Sequence, residues 1–337
     1  MEASSLSEIY ESISKDADII YVVPLIRHTH KKTDYLYLLY EDLIGSDSYE
    51  IKSISIFDHF KLVAGILTNR KAILHYHWLE FQDFKSLLGM PWKMLCIYLF
   101  QLFGGHIVWT LHNEFPHNQK YLGLHRYLHK KMAHWTDILH VHCSAAVSLM
   151  SDRLKAPKEK FTIIPHPDFP TDPIPKSTAI SHLNKNYDCG IDPDDTILLM
   201  FGNISRYKQI EEIADILIKE ELSSKLIIAG PVKKGNMDLY EELISKVNKY
   251  NCIKLIAEFI PEEHVPWFYS ATDICVFNYR EILSSGGFHM AESYNKTIIA
   301  PNIGCLSETK DLSNVHLFTN ADELKALLRV KITELND

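Results

Sequence analysis

Along the first half of the chain, short apolar runs rich in β-branched residues alternate with longer amphipathic stretches. The runs are Ile19–Ile26, Ile51–Phe57, Ala72–His77, His106–Leu111, Asp137–Val141 and Phe161–Pro165. Between them, apolar positions spaced three and four apart predict helices over Tyr35–Ile44, Phe84–Phe103, Lys120–Ala133 and Ala145–Leu154. The runs lack strict polar–apolar alternation, which predicts strands buried on both faces, as in a parallel sheet. The stretch from Pro165 to Pro175 holds five prolines and fits neither helix nor sheet. After a polar continuation to Asp195 the alternation restarts, with strands expected at Thr196–Phe201, Lys225–Ala229, Ile253–Phe259, Asp273–Asn278, Thr297–Ala300 and Val315–Phe318. Helical spacing separates them at Ile210–Lys219, Leu239–Tyr250, Glu262–Ser270 and Gly287–Tyr294, and a last helix starts at Ala321.

Two such arrays predict an α/β protein of two doubly wound, Rossmann-like domains facing across a cleft. The expected boundaries are an N-terminal domain over 1–170, a proline-rich linker over 171–195 and a C-terminal domain over 196–337.

Composition narrows the classes. With 337 residues, 46% hydrophobic and 23% charged, the chain is ordinary globular material, long enough for two cores. A net charge of −8 argues against nucleic acid as a partner. The charge is uneven: residues 1–175 hold 18 Lys and Arg against 19 Asp and Glu, whereas residues 176–337 hold 17 against 24. Of the 18 histidines, 14 precede residue 170. An acidic start (Glu2, Glu8, Glu11, Asp16, Asp18) is unlike a secretory signal. Cys96, Cys252 and Cys275 lie in apolar runs, as buried thiols of a reducing compartment do. The most apolar run, Met94–Phe103, is too short for the roughly 20 residues that span a bilayer. It reads as a core or interfacial helix. With the basic stretch Arg126–Lys131 it adds peripheral contact with the inner face of the cell membrane to the expectations for a cytoplasmic protein.

Ligands of open parallel sheets bind beyond the carboxyl ends of the strands. In the N-terminal half those ends carry histidine repeatedly: Arg27-His28-Thr29-His30, His75-Tyr76-His77-Trp78-Leu79-Glu80, Thr110-Leu111-His112-Asn113-Glu114-Phe115-Pro116-His117, His140-Val141-His142 and Pro165-His166. Imidazole and carboxylate rims suit sugar hydroxyls and proton transfer near neutral pH. Taken singly, each histidine is better explained by structural hydrogen bonding. The H-x-H pairs share a strand face, as metal ligands do, but no third ligand follows from the spacing, and no metal is expected. His125 and His129, one turn apart beside Arg126, Lys130 and Lys131, read as a solvated basic face.

In the C-terminal half, Gly202 ends a strand and is followed by Arg206 and Lys208, which can meet phosphate oxygens. Leu283-Ser284-Ser285-Gly286-Gly287-Phe288 opens a helix directly after the strand Asp273–Asn278. Unpaired first-turn amides and the helix dipole make such a start a diphosphate cradle, although a serine there also serves as a plain N-cap. The loop Gly230-Pro231-Val232-Lys233-Lys234-Gly235 adds two lysines.

These segments resemble the GT-B glycosyltransferases related to glycosyltransferase family 4, over nearly the whole chain and most closely from Thr196 to Glu308. Phe201-Gly-Asn-Ile-Ser-Arg-Tyr-Lys208 is similar to the family's G-R-x-x-x-x-K-G segment, whose Arg and Lys bind the donor diphosphate. Here Asn203 stands where the family has Arg, leaving Arg206 as its substitute, while Lys208 matches the Lys. The stretch from Ser284 through Gly304 to Glu308 resembles the family's E-x7-E region, yet Ile282 and Met290 occupy the positions of the two glutamates. Trp109-Thr-Leu-His-Asn113 is similar to the T-x-H-N strand end, whose His reaches the donor sugar; here that is His112. The wider pattern resembles bacterial transferases that build surface polysaccharides on lipid carriers.

The resemblance implies transfer of a sugar, most simply a hexose, from a nucleoside-diphosphate sugar to a glycan or lipid-linked saccharide acceptor. No cofactor beyond that donor substrate is implied. Donor binding falls to Gly202, Asn203, Arg206, Lys208, Ser284, Ser285, Gly286, Gly287 and Glu308. His112 and Glu114 are the catalytic candidates, and His28, His77, Glu80 and His117 form the acceptor side. The alternatives are a nucleotide-sugar epimerase or hydrolase on the same fold, and a non-catalytic nucleotide-sugar-binding subunit.

Overall fold

The computed structural model describes residues 5–68, 71–81, 84–114 and 120–337. The chain divides into two compact units, residues 1–167 and 168–337. The first runs α1 (Leu6–Ile13), β1 (Ile19–Val23), α2 (Tyr35–Ile44), β2 (Glu50–Ser53), α3 (Phe60–Thr68), β3 (Ala72–Tyr76), α4 (Phe84–Leu88), α5 (Met90–Leu102), β4 (His106–Thr110), α6 (Leu122–Trp135), β5 (Ile138–Val141), α7 (Ser144–Leu154) and β6 (Phe161–Ile163). Its strands form one parallel sheet in the order β2-β1-β3-β4-β5-β6.

The second unit runs α8 (Lys176–Tyr187), β7 (Ile197–Phe201), α9 (Ile210–Lys219), β8 (Lys225–Ala229), α10 (Met237–Val247), β9 (Ile253–Ile256), α11 (Val265–Ala271), β10 (Ile274–Val276), α12 (Gly286–Ser293), β11 (Thr297–Pro301), β12 (Val315–Phe318) and α13 (Ala321–Asn336). This sheet is also parallel, in the order β12-β11-β10-β7-β8-β9. The strand order reverses between β1 and β3 in the first unit and between β7 and β10 in the second. Those are the switch points at which doubly wound sheets open a crevice for ligands.

The absence of alternation in the sequence runs has its expected cause. Every residue of β1 and β3 is buried, because helices cover both faces. On one face Ile20, Val22, Ile73 and Val108 pack under Leu6, Ile9 and Tyr10 of α1 and Leu36 and Tyr40 of α2. In the second unit Leu198, Met200, Leu226 and Ile228 pack against Ile213 and Leu217 of α9 and Leu239 and Leu243 of α10. Each such side chain contributes about 1.5–3 kcal/mol by leaving water.

Two departures from the sequence expectation are instructive. The region 171–195, expected to be linker, contains α8, which packs on α11 with Ala179, Ile180 and Leu183 buried. Pro175 sits at its N-cap, so the proline run ends as the helix begins. The single long helix expected over Phe84–Phe103 is two, divided at Gly89 with Pro91 in the first turn of α5. Met90, Met94, Ile97 and Phe100 of α5 are buried. Its other face is apolar too: Trp92, Leu95 and Leu102 are exposed. Among the described residues no helix is long and apolar enough to cross a membrane.

Candidate functional site

In the second unit the ends of β7, β8 and β10 meet at the switch point. β7 runs into Gly202, whose φ of +93° suits a residue without Cβ. Gly230, after β8, lies so close that a Cβ on it would stand 2.4 Å from the Gly202 carbonyl oxygen. The two loops are then stapled. Ile204 bridges Val232, Lys233 N donates to Ile204 O at 3.0 Å, and Arg206 N donates to Asn236 Oδ1 at 2.9 Å.

Lys208 folds back into this corner and donates from Nζ to Phe201 O at 3.0 Å. Burial, helped by the neighbouring Lys233 cation, pushes its ammonium pKa down to about 7. A buried lysine beside a second lysine is a place where an anion is wanted. Arg206, expected to meet phosphate, is engaged otherwise. Burial opposes its charge, but Asp238, Glu242 and Glu211 hold the guanidinium above its ordinary pKa. Nε and Nη2 reach Asp238, and Nη1 reaches Glu211 and Glu242, at 2.9–3.2 Å. Lys208 is therefore the cation at the strand end, and Asn203 is exposed beside it.

Beyond β10, Ser285 is the N-cap of α12: its Oγ accepts from Phe288 N at 3.2 Å and pairs with the Tyr279 hydroxyl at 2.9 Å. The capping role and the cradle coexist, because one serine satisfies one amide and the first-turn amides of Gly286 and Gly287 have no intrahelical acceptor. Ser284 presents a buried Oγ with no hydrogen-bond partner. Glu308 is exposed on a short turn after β11. That turn is tied to the segment before Ser284 by Cys305 N donating to Leu283 O at 2.8 Å. Gly304 permits the approach, since a Cβ there would lie 2.3 Å from Ile282 O.

In the first unit the strand-end histidines 75, 77, 112, 140 and 142 fall into two hydrogen-bonded groups, which meet where the His75 and His77 rings stack at 4.5 Å. Residues two apart share a strand face, so His75 and His77 of β3 and its exit, Thr110 and His112 of β4, and His140 and His142 of β5 line one side of the sheet. The hydroxyls come from the covering helices. Tyr10 Oη lies 2.7 Å from His75 Nδ1, Tyr40 Oη 3.0 Å from His77 Nε2, and Tyr35 Oη 3.0 Å from His142 Nε2. Thr110 Oγ1 stands between His75 Nε2 at 2.7 Å and His140 Nδ1 at 2.9 Å. Both His140 Nε2 and His142 Nδ1 reach Ile164 O, at 3.2 and 2.9 Å. His77 Nδ1 meets His112 Nε2 at 3.0 Å.

His75, His77 and His140 are fully buried. Burial first, then the neighbouring histidines, holds His77, His112 and His140 well below the ordinary imidazole pKa, and His75 down at about 3. His112 is half-buried, its ring stacked 4.1 Å from Trp78.

The other first-unit candidates divide. Glu114 accepts from Arg153 Nη1 at 2.9 Å. His28 is exposed and packs edge-on against Tyr37, outside the network. Glu80 is half-buried, with its charge acting on Tyr76 and Lys93. His117 lies outside the described residues. His125 and His129 are not a solvated face: both are buried, His125 stacked 3.9 Å from Phe81 and His129 edge-on to Trp109. Helical spacing turns their imidazoles inward while Arg126, Lys130 and Lys131 stay exposed. The sequence reading missed Tyr10, Tyr35, Tyr40 and Thr110. Its one available signal was the presence of tyrosines on apolar helix positions, since a buried tyrosine hydroxyl needs a partner. Among the described residues no cluster of three His, Cys, Asp or Glu side chains is placed to hold a metal ion.

No protein-family model and no curated protein sequence matches the chain. Solved structures do. Sucrose-phosphate synthase from Thermosynechococcus elongatus superposes with a TM-score of 0.67 at 15% identity, over 95% of this chain and 90% of that one. Anabaena HepE, solved in complex with UDP and glucose, gives 0.64 at 13% identity, over 95% and 90%. A glycosyltransferase from Rickettsia africae gives 0.64 at 13%, over 95% and 89%. At such identities the likeness establishes the fold. It is the GT-B architecture, two six-stranded parallel α/β units.

Proposed function

We propose that this chain is a glycosyltransferase that moves a sugar, most simply a hexose, from a nucleoside-diphosphate sugar to a glycan or lipid-linked saccharide. One observation carries the reading: Lys208, its pKa pushed to about 7, sits at the switch point of a doubly wound sheet. The corner is shaped by Gly202 and Gly230, and the free start of α12 follows the neighbouring strand. A departing diphosphate brings the negative charge that the corner lacks, and fixed donors aimed at that charge stabilise its departure. Lys208 and the amides of Gly286 and Gly287 are the principal diphosphate contacts. Arg206, held by three carboxylates, shapes the loop instead. His112 meets sugar hydroxyls, and Glu114, paired with Arg153 on the same strand-end loop, is the carboxylate to which proton transfer is assigned. Charge neutralisation by these groups leaves no step that requires a metal. Anabaena HepE, solved with UDP and glucose, supports the donor class by analogy of fold.

The test is a thermal-shift and titration-calorimetry panel of nucleoside diphosphates and their sugars, followed by turnover with and without acceptors in EDTA. Donor consumption without an acceptor assigns the epimerase or hydrolase alternative. Binding with no turnover under any acceptor assigns the non-catalytic one. Activity lost in EDTA and restored by manganese or magnesium overturns the metal-independent reading.

Attachment of the first unit to a lipid surface belongs to the same reading, because a lipid-linked acceptor is presented there. It is supported by the outer stripe Trp92, Leu95, Leu99 and Leu102 of α5, which continues Leu88 of α4 at spacings of four and three. The exposed Arg126, Lys130 and Lys131 lie on α6, which touches α5 through Tyr98 and Trp135. Apolar and basic faces together give weak, salt-sensitive binding to anionic lipid. Pelleting with anionic phospholipid vesicles at low salt, lost in Trp92→Glu, is expected; protein left in the supernatant rejects it.

A further inference from the structure

The turn between β1 and α2 is basic out of proportion to its surroundings. Residues 1–175 balance 18 Lys and Arg against 19 Asp and Glu, yet from Pro24 to Tyr40 the chain carries Arg27, Lys31 and Lys32, with His28 and His30, against Asp34 alone. The Asp34 carboxylate is already occupied, since its Oδ1 accepts from Tyr37 N at 3.0 Å as the N-cap of α2. Arg27 and Lys31 are exposed, and among the described residues neither pairs with a carboxylate. Arg206, by contrast, is held by three.

The turn is ordered by its own contacts. His30 N donates to Arg27 O at 3.4 Å and Asp34 N to His30 O at 2.9 Å, which closes 27–34 as two successive turns. Tyr37, buried in the first turn of α2, braces two of the side chains: Lys31 Nζ lies 5.6 Å from the centre of its ring, and the His28 imidazole meets it edge-on at 5.9 Å. Side chains set in place beforehand give up less freedom to a ligand. Position supplies the rest. β1 stands at the switch point of the first sheet, and the turn leads into Tyr35, whose ring lies 5.0 Å from His112 and 6.1 Å from Trp78. Lys31 comes four residues before Tyr35, a separation of at most about 14 Å along the backbone.

We propose that this turn binds a phosphate group of the acceptor, so that the saccharide receiving the new sugar is anionic and carries its phosphate near the accepting hydroxyl. The neutral imidazole rim takes hydroxyls, and the cations beside it take the charge: Arg27 as a planar fork, Lys31 as a point charge braced on Tyr37, His28 through a ring N–H. A phosphate brings about −1.5 to −2 charges at pH 7 and several acceptor oxygens, whereas a uronic acid brings a single charge to the same cluster. A soluble sugar phosphate and a saccharide joined to lipid through a diphosphate present the same chemistry here. The acceptor role of that ligand rests on the transferase reading; the anion site does not.

The experiment adds inorganic pyrophosphate to the full-length Lys208→Ala protein, labelled with nitrogen-15, and follows the backbone amide signals. The substitution weakens the competing site in the second unit. Saturable shifts gathered on residues 27–32 are expected. Adding Arg27→Gln with Lys31→Gln should weaken that binding about tenfold, the combined value of two exposed charge pairs. The same charge removed from α6, by Lys130→Gln with Lys131→Gln, should leave it unchanged, and glucuronate should bind more weakly than pyrophosphate. No saturable shift at 27–32, an equal loss in the α6 variant, or glucuronate bound as tightly as pyrophosphate overturns the proposal. With a donor in hand, a hexosyl phosphate and a hexosyl diphosphate joined to a prenyl chain are compared as acceptors with a methyl hexoside. A lower KM for the prenyl compound assigns a lipid-borne phosphate, and an equal or higher one assigns a soluble phosphate. A KM for the neutral hexoside as low as either overturns the proposal. Pyrophosphate held at 27–32 in a chain that transfers no sugar would fault the transferase reading and leave the anion site standing.

Discussion

The two units share one plan, a six-stranded parallel sheet with loaded strand ends, and load those ends with opposite chemistry. The first gathers imidazoles and hydroxyls that burial keeps neutral and that hydrogen-bond among themselves. The second keeps a lysine under desolvation, beside backbone amides and glycines that admit a ligand to the main chain. A neutral rim suits neutral, hydroxyl-rich ligands, and a cationic corner suits phosphate. The surfaces differ as well. Of the described large hydrophobic residues that are exposed, 16 belong to the first unit and 6 to the second, so the unit with the uncharged rim is also the one that offers an apolar face.

The largest expected effect tests whether the second unit's corner depends on its glycines. Gly230→Ala places a Cβ 2.4 Å from a backbone oxygen at a φ of +141°, and the loops must separate. Loss of about 3 kcal/mol or more is expected in a denaturant midpoint. Wild-type stability would mean that the stapled loops are not what holds the corner.

Next comes the cation. Lys208→Ala should weaken nucleoside diphosphate binding by about tenfold to a hundredfold, the value of one charge-assisted contact, measured by titration calorimetry. Lys208→Met should also stabilise the free protein. With a folded pKa of about 7 against 10.5 for an ordinary lysine, the unfolded chain binds the extra proton between those pH values. The penalty for burying the lysine is therefore full below pH 7 and fades as pH rises toward 10.5. Allowing for the lost contact with Phe201, a gain of about 1–3 kcal/mol at pH 7 is expected. Thermal melts at pH 7 and pH 10 check it: equal effects at both would show that the lysine is charged where it sits.

Thr110→Val probes the neutral side. It removes the donor to His140 and the acceptor from His75 inside a fully buried chain, for about 1–3 kcal/mol of destabilisation. Salt should leave that loss unchanged while weakening nucleotide binding at Lys208, because screening acts on the charged site. Equal salt sensitivity in both would collapse the distinction between the units. The smallest effect concerns the surface: Lys130→Ala with Lys131→Ala should reduce vesicle binding by about 1 kcal/mol per residue, read by co-sedimentation at two salt concentrations.

Most of the architecture was legible because burial on both faces writes itself as uninterrupted apolar runs, and β8 and β12 fall where the runs do. What was hidden lay in long-range pairing. Helix α8 is polar outside its three buried positions and stands behind a run of prolines, so spacing gave little warning of it. Lys208 could be found from its distance to a strand-end glycine. The fate of Arg206 could not, since Asp238 and Glu242 lie 32 and 36 residues further along and come near only when β8 and α10 are in place. The histidine-rich strand ends were visible one by one. Their hydroxyl partners were not visible, because they are tyrosines from α1 and α2, 65 residues from His75 in one case and 37 from His77 in the other.

The close approach of Gly202 and Gly230 bears on how a ligand arrives. With Ile204 bridged to Val232 and Arg206 N tied to Asn236, the loops that would meet a diphosphate are knitted to each other by the protein's own contacts. Little conformational entropy is then left to surrender at the moment of binding. Association should run as a single kinetic phase, proportional to nucleotide concentration, without the slow unimolecular step that betrays a loop folding over its guest.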